Sequence, residues 1–225
     1  MGKKVLVIGD AHMPWTNMSS LNAIYLAIAK ERPDAIVQIG DLYDLYSFSR
    51  FARTHDLCTP KAEIEEGRQM AESFWKNVRQ FAPGAECYQI KGNHDSRIIA
   101  RAEEKYPEIL ALLNIDHLWK FPGVTTIDDV RDELCIDGVL YIHGYLSKLG
   151  AHMNHFMEPV VRGHDHKLGV VFRQLRTKLI WEMTVGFIGD KKAVPLSYTK
   201  TKTNGYMQGY GIVNDGCPIA VPLPG

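Results

Sequence analysis

Acids, imidazoles and glycines recur in five short blocks along the chain: Asp10-Ala11-His12, Gly40-Asp41-Leu42-Tyr43-Asp44, Gly92-Asn93-His94-Asp95, His143-Gly144 and Gly163-His164-Asp165-His166. Carboxylate and imidazole together suit borderline divalent metals such as zinc, manganese, iron or nickel. His164 and His166, two residues apart on an extended segment, project to the same side. A single Asp-x-His is weak evidence, and a lone Asp at a strand end is more often a turn former than a ligand. Five blocks in one order, each after an apolar run, point instead to one metal site assembled from distant parts of the chain. The glycines are expected to let the backbone turn sharply as it leaves each strand, so that the next side chain points back over the sheet edge.

The elements that must position these groups are legible as hydrophobic patterns. Val5 to Ile8 and Ala35 to Ile39 are short apolar runs ending in Gly-Asp, as buried strands that deliver a carboxylate would be. Between them Leu21, Ile24, Tyr25 and Ile28 give a helical face, with Ser19 or Ser20 as the expected cap and Pro33 past the end. This strand, helix, strand unit places functional groups at the carboxyl edge of parallel strands. A second helix is predicted from Thr59, with Pro60 at its first position, to about Phe81; Glu63 stands one residue late for a capping box but suits the helix dipole. Ala85 to Lys91 reads as a third strand and Arg97 to Glu104 as a third helix.

After about Val124 the texture becomes β-rich, with runs at Leu134 to Ile136, Val139 to Ile142, Val160 to Val161, Val170 to Leu175, Leu179 to Val185 and Gly211 to Val213. One helix is expected around Lys148 to Met157. The pattern predicts an α/β fold of two packed sheets with helices outside. No repeat, low-complexity tract or linker divides it, so residues 1–225 are read as one domain.

Composition bounds the function classes. The 225 residues are 45% hydrophobic, enough for a sizeable core and incompatible with a disordered tail. Lys plus Arg and Asp plus Glu are 26 each, so no chain-wide positive field favours non-specific coating of DNA. Cys58, Cys87, Cys135 and Cys217 form no C-x-x-C pair, against a thiolate zinc site or a disulfide framework. The apolar start is too short for a signal peptide, Leu6 breaks a myristoylation pattern, and no run approaches a membrane span. A cytoplasmic chain with no membrane partner is expected.

The five blocks resemble the calcineurin-like metallophosphoesterase superfamily, whose pattern is D-x-H, G-D-x-x-D, G-N-H-[DE], H and G-H-x-H. The resemblance covers Asp10 to His166 and no block is missing. It implies a four-layer αββα sandwich of two mixed sheets flanked by helices, with a dinuclear metal centre over the strand ends. It further implies that Asp10, His12, Asp41 and His166 hold one metal, and that Asp41 bridges to a second held by Asn93, His143 and His164. Manganese is the expected metal, with zinc, iron and nickel as alternatives. Such a pair would clamp a phosphate, ionise a bridging water and neutralise charge on the equatorial oxygens. His94 is then placed as the general acid for the leaving oxygen, with Asp44 fixing its tautomer.

Other residues are read more plainly. Asp95 is expected to be a helix N-cap, and Asp165 to face solvent or support its neighbours. Arg97 and Tyr43 would contact a substrate phosphate, or Arg97 would make a surface salt bridge. His55, His117, His152 and His155 match no family position and are read as surface or packing residues, as are Trp15, Trp75, Trp119 and Trp181. Lys167 to Lys202 is locally basic, either a solvated face or a guide for phosphate-rich substrates.

The bond class does not name the molecule. Leu45-Tyr46 after Asp44 departs from the Arg-Gly of protein serine/threonine phosphatases, and the chain is short for a repair nuclease. The segment 43–82 is long enough to form a wall or lid, and Tyr43, Tyr46, Phe48, Arg50, Phe51 and Arg53 would suit a base and a phosphate. The closing Asn204 to Gly211 resembles small phage and bacterial metallophosphoesterases. The expected activity is hydrolysis of phosphodiesters or phosphomonoesters, diesters favoured, with nucleotides or nucleic-acid ends as substrates. A DNA endo- or exonuclease and a non-catalytic scaffold of the same fold are the alternatives.

Overall fold

The computed structural model describes residues 2–50, 58–112, 114–128, 132–196 and 205–224. His55, Phe51, Arg53, Lys200, Lys202 and Asn204 lie outside them. Strands β1 (Lys4–Ile8), β2 (Ala35–Gln38), β3 (Glu86–Ile90) and β4 (Val124–Ile127) run parallel and adjacent. β10 (Gly209–Asn214) and β11 (Cys217–Pro222) extend that sheet antiparallel beyond β1. A second sheet has the order β5 (Leu134–Ile136), β6 (Val139–Ile142), β7 (Val160–Arg162), β9 (Leu179–Val185) and β8 (Leu168–Gln174). There β6, β7 and β9 are parallel and the two edge strands antiparallel.

Alternation along β1 divides the layers. Val5 and Val7 face the second sheet and meet Tyr141, Val161, Met183 and Val185 in an inter-sheet core. Leu6 and Ile8 point the other way, into a core with Ile24 and Ile28 of α1 (Met18–Glu31) and Phe74, Trp75 and Val78 of α2 (Pro60–Phe81). The outer face of the second sheet carries a smaller cluster, Ile142, Val160 and Ile180, with Met153 of α4 (Ala151–Phe156). The architecture is the expected α/β sandwich of two mixed sheets with helices outside. Its fourth layer is thin, a single helix of six residues among those described.

Local corrections have simple causes. Asn17, not Ser19 or Ser20, caps α1, its side chain accepting from Ser20 N–H; Ser20 is itself buried. Thr59 caps α2 with Pro60 in its first turn, as predicted. Glu63 does more than suit a dipole: it is buried and its carboxylate accepts the N–H groups of Tyr46 and Ser47, fixing the turn before Phe48. β11 contains Pro218 and Pro222, tolerated because this is an edge strand with no neighbour on its far side. No described helix is long and apolar enough to cross a membrane, and all four cysteines are free.

Candidate metal centre

The parallel strands deliver all five blocks to one edge. Asp10 and His12 follow β1, Asp41 and Asp44 follow β2, Asn93 and His94 follow β3, His143 follows β6, and His164 and His166 follow β7. His12, Asp41, His164 and His166 all adopt positive φ, between 50° and 72°, which side chains other than glycine rarely take. Strain of that kind persists only where the surroundings over-determine it, and it gathers at functional sites. Two glycines act by making room and not by turning. A Cβ on Gly92 would lie 2.1 Å from Asp41 Oδ1, and one on Gly163 would lie 2.4 Å from Asp10 Oδ1, while neither glycine has positive φ. Each block thus leaves space for an acid from another.

The groups meet in two adjoining sets. In the first, Asp10 Oδ2 is 3.1 Å from His166 Nε2 and His12 Nε2 is 3.0 Å from the same nitrogen. In the second, Asn93 Oδ1 is 3.0 Å from His143 Nε2 and 2.8 Å from His164 Nδ1. Asp41 stands between them: its Oδ2 is 3.4 Å from His143 Nε2, and its ligand oxygen groups within 4.8 Å with those of His12 and His94. Asp10, His12 and His166 form a like group.

Outer contacts fix the tautomers. His143 Nδ1–H donates to the Ile39 carbonyl at 3.0 Å, and His12 Nδ1–H to Asp44 Oδ2 at 3.0 Å, so both Nε2 lone pairs face inward. Asp44 is therefore shared, lying closer to His12 than to His94, whose Nδ1 is 3.5 Å away. Arg97 completes the set, donating to the Asp44 carbonyl at 2.7 Å, to Asp44 Oδ1 at 2.9 Å and to His94 Nε2 at 2.9 Å. It is not the surface ion pair of the sequence reading.

Burial opposes the charged form of every group here, but the partners outweigh it at the acids. His166 and His143 hold the Asp10 carboxyl below its ordinary range; His143 and His94 do so for Asp41, His12 and His94 for Asp44. Burial also opposes a charged His143, yet Asp41 and Asp10 push it up to about 9. His12 is lowered by burial. Asp10, Asp41 and Asp44 are essentially inaccessible to water. Inaccessible acids facing converging imidazole lone pairs form a donor set that fits divalent cations.

Some expectations fail. Asp95 is no N-cap: Ser96 holds that position before α3 (Arg97–Lys105), and Asp95 is buried, accepting N–H groups of Leu42, Tyr43 and Gly92. It clasps the second block to the third. Burial first, then the nearby Asp41, raises its carboxyl to about 6. Tyr43 is buried and donates to the Leu118 carbonyl, away from any substrate. Two other readings agree with the structure: Asp165 supports a neighbour, pairing with Arg162 at 2.9 Å, and His152 is buried. Sequence reasoning missed Phe187, whose ring stacks on His166 at 4.6 Å. The only signal was a glycine, Gly186, after another strand.

Phe48, Ser49 and Arg50, from the segment expected to form a wall, line a cavity of about 560 Å³ beside Asn93 and Arg97, whereas α2 is packed against the first sheet.

The Gene 54 protein of Mycobacterium phage L5 is 27% identical over 248 residues, spanning 100% of this chain and 95% of the relative. The Gene 54 protein of Mycobacterium phage D29 is 26% identical over 256 residues with the same coverage. Among solved structures, Yfce, a phosphoesterase from E. coli, matches at 15% identity and a TM-score of 0.46, covering 97% of this chain and 99% of its own. Chaetomium thermophilum Vps29 matches at 9% identity and a TM-score of 0.46, covering 94% and 78%. The model of the calcineurin-like phosphoesterases matches residues 3–181, through all five blocks, and the chain belongs to that family.

Proposed function

We propose that the protein is a dinuclear metal-dependent phosphoesterase with a preference for phosphodiesters, acting on nucleotides or nucleic-acid ends. The observation that carries this reading is the position of Asp41 between the Asp10, His12, His166 set and the Asn93, His143, His164 set. A bridging carboxylate there would hold two cations in register, with manganese the favoured metal. Divalent cations, when bound, supply Lewis acidity toward a phosphoryl group and lower the pKa of a water.

The chain's own groups then have distinct tasks. Asp44 and the Ile39 carbonyl accept the Nδ1 protons of His12 and His143, which turns both Nε2 atoms inward as the atoms that would meet a cation. His94 lies beside His12 and Asp41, within 4.8 Å of both: burial disfavours its charge, but Asp41 and Asp44 outweigh that and raise its pKa. A protonated His94 suits a general acid that delivers its Nε2 proton to the departing oxygen. In the arrangement seen, Arg97 donates to His94 Nε2, which accepts and carries no proton; the acid form has that Arg97 contact released and Nε2 protonated. The same guanidinium is a bidentate partner for a phosphate oxygen pair.

Turnover of bis-p-nitrophenyl phosphate and p-nitrophenyl phosphate with manganese tests the reading. Faster hydrolysis of the diester is expected. Inertness toward both would contradict it and favour a non-catalytic scaffold; faster cleavage of the monoester would contradict the diester preference.

A further inference from the structure

Resting on the phosphoesterase reading above, we infer that the cavity beside the metal centre is a binding site for a second phosphate, one link beyond the scissile one. The cavity holds about 560 Å³, enough for a nucleotide-sized group, and Asn93 of the metal site is part of its lining. Among the described residues three guanidinium groups line it, Arg50, Arg97 and Arg101, with one acid, Glu104.

Two of the three are placed by helix geometry. Arg97 and Arg101 are four residues apart on α3, hence on one face and ~6 Å apart along its axis. Arg97 is anchored at the reacting end by Asp44 and His94, and Arg101 stands one turn further out. Arg101 pairs with Glu104 at 3.0 Å, both side chains about half exposed. An exposed pair of that kind holds its partner weakly, whereas a guanidinium and a phosphate dianion form two parallel charge-assisted bonds. A phosphate chain entering from the metals would therefore meet cations in sequence, Arg97 and then Arg101.

The turn that carries the lining residue Phe48 is built as well. Phe48 packs on the main core, and the turn before it is tied to α2 by the buried Glu63 through the N–H groups of Tyr46 and Ser47. The cavity's lining thus joins an aromatic residue on an anchored turn to two spaced cations. That combination selects a ligand with an aromatic base and more than one phosphate. A simple alkyl or sugar monophosphate leaves Arg101 unused.

Both an oligonucleotide backbone and a nucleoside polyphosphate have this chemistry, and equilibrium binding separates them. Calorimetry of the full chain with manganese would compare thymidine 3′,5′-bisphosphate with thymidine 5′-monophosphate, and ADP with AMP, ligand integrity being checked by chromatography. At least one doubly phosphorylated ligand is expected to bind about 10-fold tighter than its single-phosphate partner. A gain for the bisphosphate alone assigns the nucleic-acid spacing; a gain for ADP alone assigns the polyphosphate. Arg101→Gln is expected to cut the gain to under about 3-fold. Lys3→Gln, which removes a cation at the opposite end of β1, is expected to keep it. Equal affinities in the wild type, or a gain untouched by Arg101→Gln, would overturn the inference. Binding is read without catalysis, so a gain in a chain that hydrolyses no phosphoester would sink the enzyme reading alone, and turnover without a gain would sink only the second-phosphate site.

Discussion

Two regions of this molecule bury acids beside histidines, and they are built on opposite principles. Under α4, Glu182 is inaccessible and so is its partner Arg162, whose Nε donates to Glu182 Oε1 at 2.7 Å. Glu182 Oε2 accepts the N–H groups of His152 and Met153. The remaining Arg162 donors reach the Gly163 carbonyl and Asp165, and His152 Nε2 accepts from Tyr145 and Leu146 N–H. Apart from His152 Nδ1, which stands 3.9 Å from Glu182 Oε2, these donors and acceptors meet one another around a cation that the chain supplies. At the strand tops the balance is different. Asp10, Asp41 and Asp44 are equally buried, among His12, His143 and His166, yet Arg97 is their one direct Arg or Lys partner among the described residues, and it serves Asp44. The closed network contains its own cation, whereas the open one has inward imidazole nitrogens and acids suited to a cation from outside. Buried charge alone does not mark a site; buried acids whose partners are imidazoles in place of a fixed Arg or Lys do.

The contrast can be broken most sharply at Asp41. Asp41→Asn is expected to empty at least one position of the metal pair and to lower phosphodiester turnover by about 10⁴-fold or more, because water ionisation and charge neutralisation are lost together. Metal analysis and steady-state kinetics check it; two retained metals would contradict the bridging role. His94→Ala should keep metal content and cost ~10²–10³-fold with alkyl leaving groups, much less with p-nitrophenolate, which needs little protonation. An equal loss for both would remove His94 as the acid.

The closed network should respond in stability and far less in metal content. Arg162→Met strands a buried Glu182 and is expected to cost about 3–5 kcal/mol, read from denaturant unfolding. The same region predicts an acid limb. Burial opposes a charged Glu182, but His152 and Arg162 hold its carboxyl down at about 2, against an ordinary 4.5. A depressed folded-state pKa contributes stability that is fully present above pH 4.5 and disappears as pH falls toward 2. Glu182→Gln should flatten the unfolding curve across that window; an unchanged slope would place the acid sensitivity elsewhere.

The open region was far more legible in the sequence than the closed one, for a physical reason. Ligand residues are short polar words at strand ends, and each strand shows as an apolar run, so order and spacing survive in one dimension. Arg162, Glu182 and His152 sit in three separate elements with no shared pattern, and only the fold joins them. Asp95 was misread because helix caps and loop clasps use the same residue type at the same place. The crowding of Gly92 and Gly163 against acids of other blocks is a contact between strands and leaves no local trace. β11 was hidden by its prolines, which read as breaks until the strand proves to be an edge.

The central claim is that the strand tops hold a pair of cations bridged by Asp41. Anomalous diffraction from crystals of the manganese-loaded chain, recorded at the manganese edge, tests it most directly. Two peaks are predicted, one among Asp10, His12 and His166, the other among Asn93, His143 and His164, with Asp41 contacting both. A single peak, peaks elsewhere, or none would contradict it.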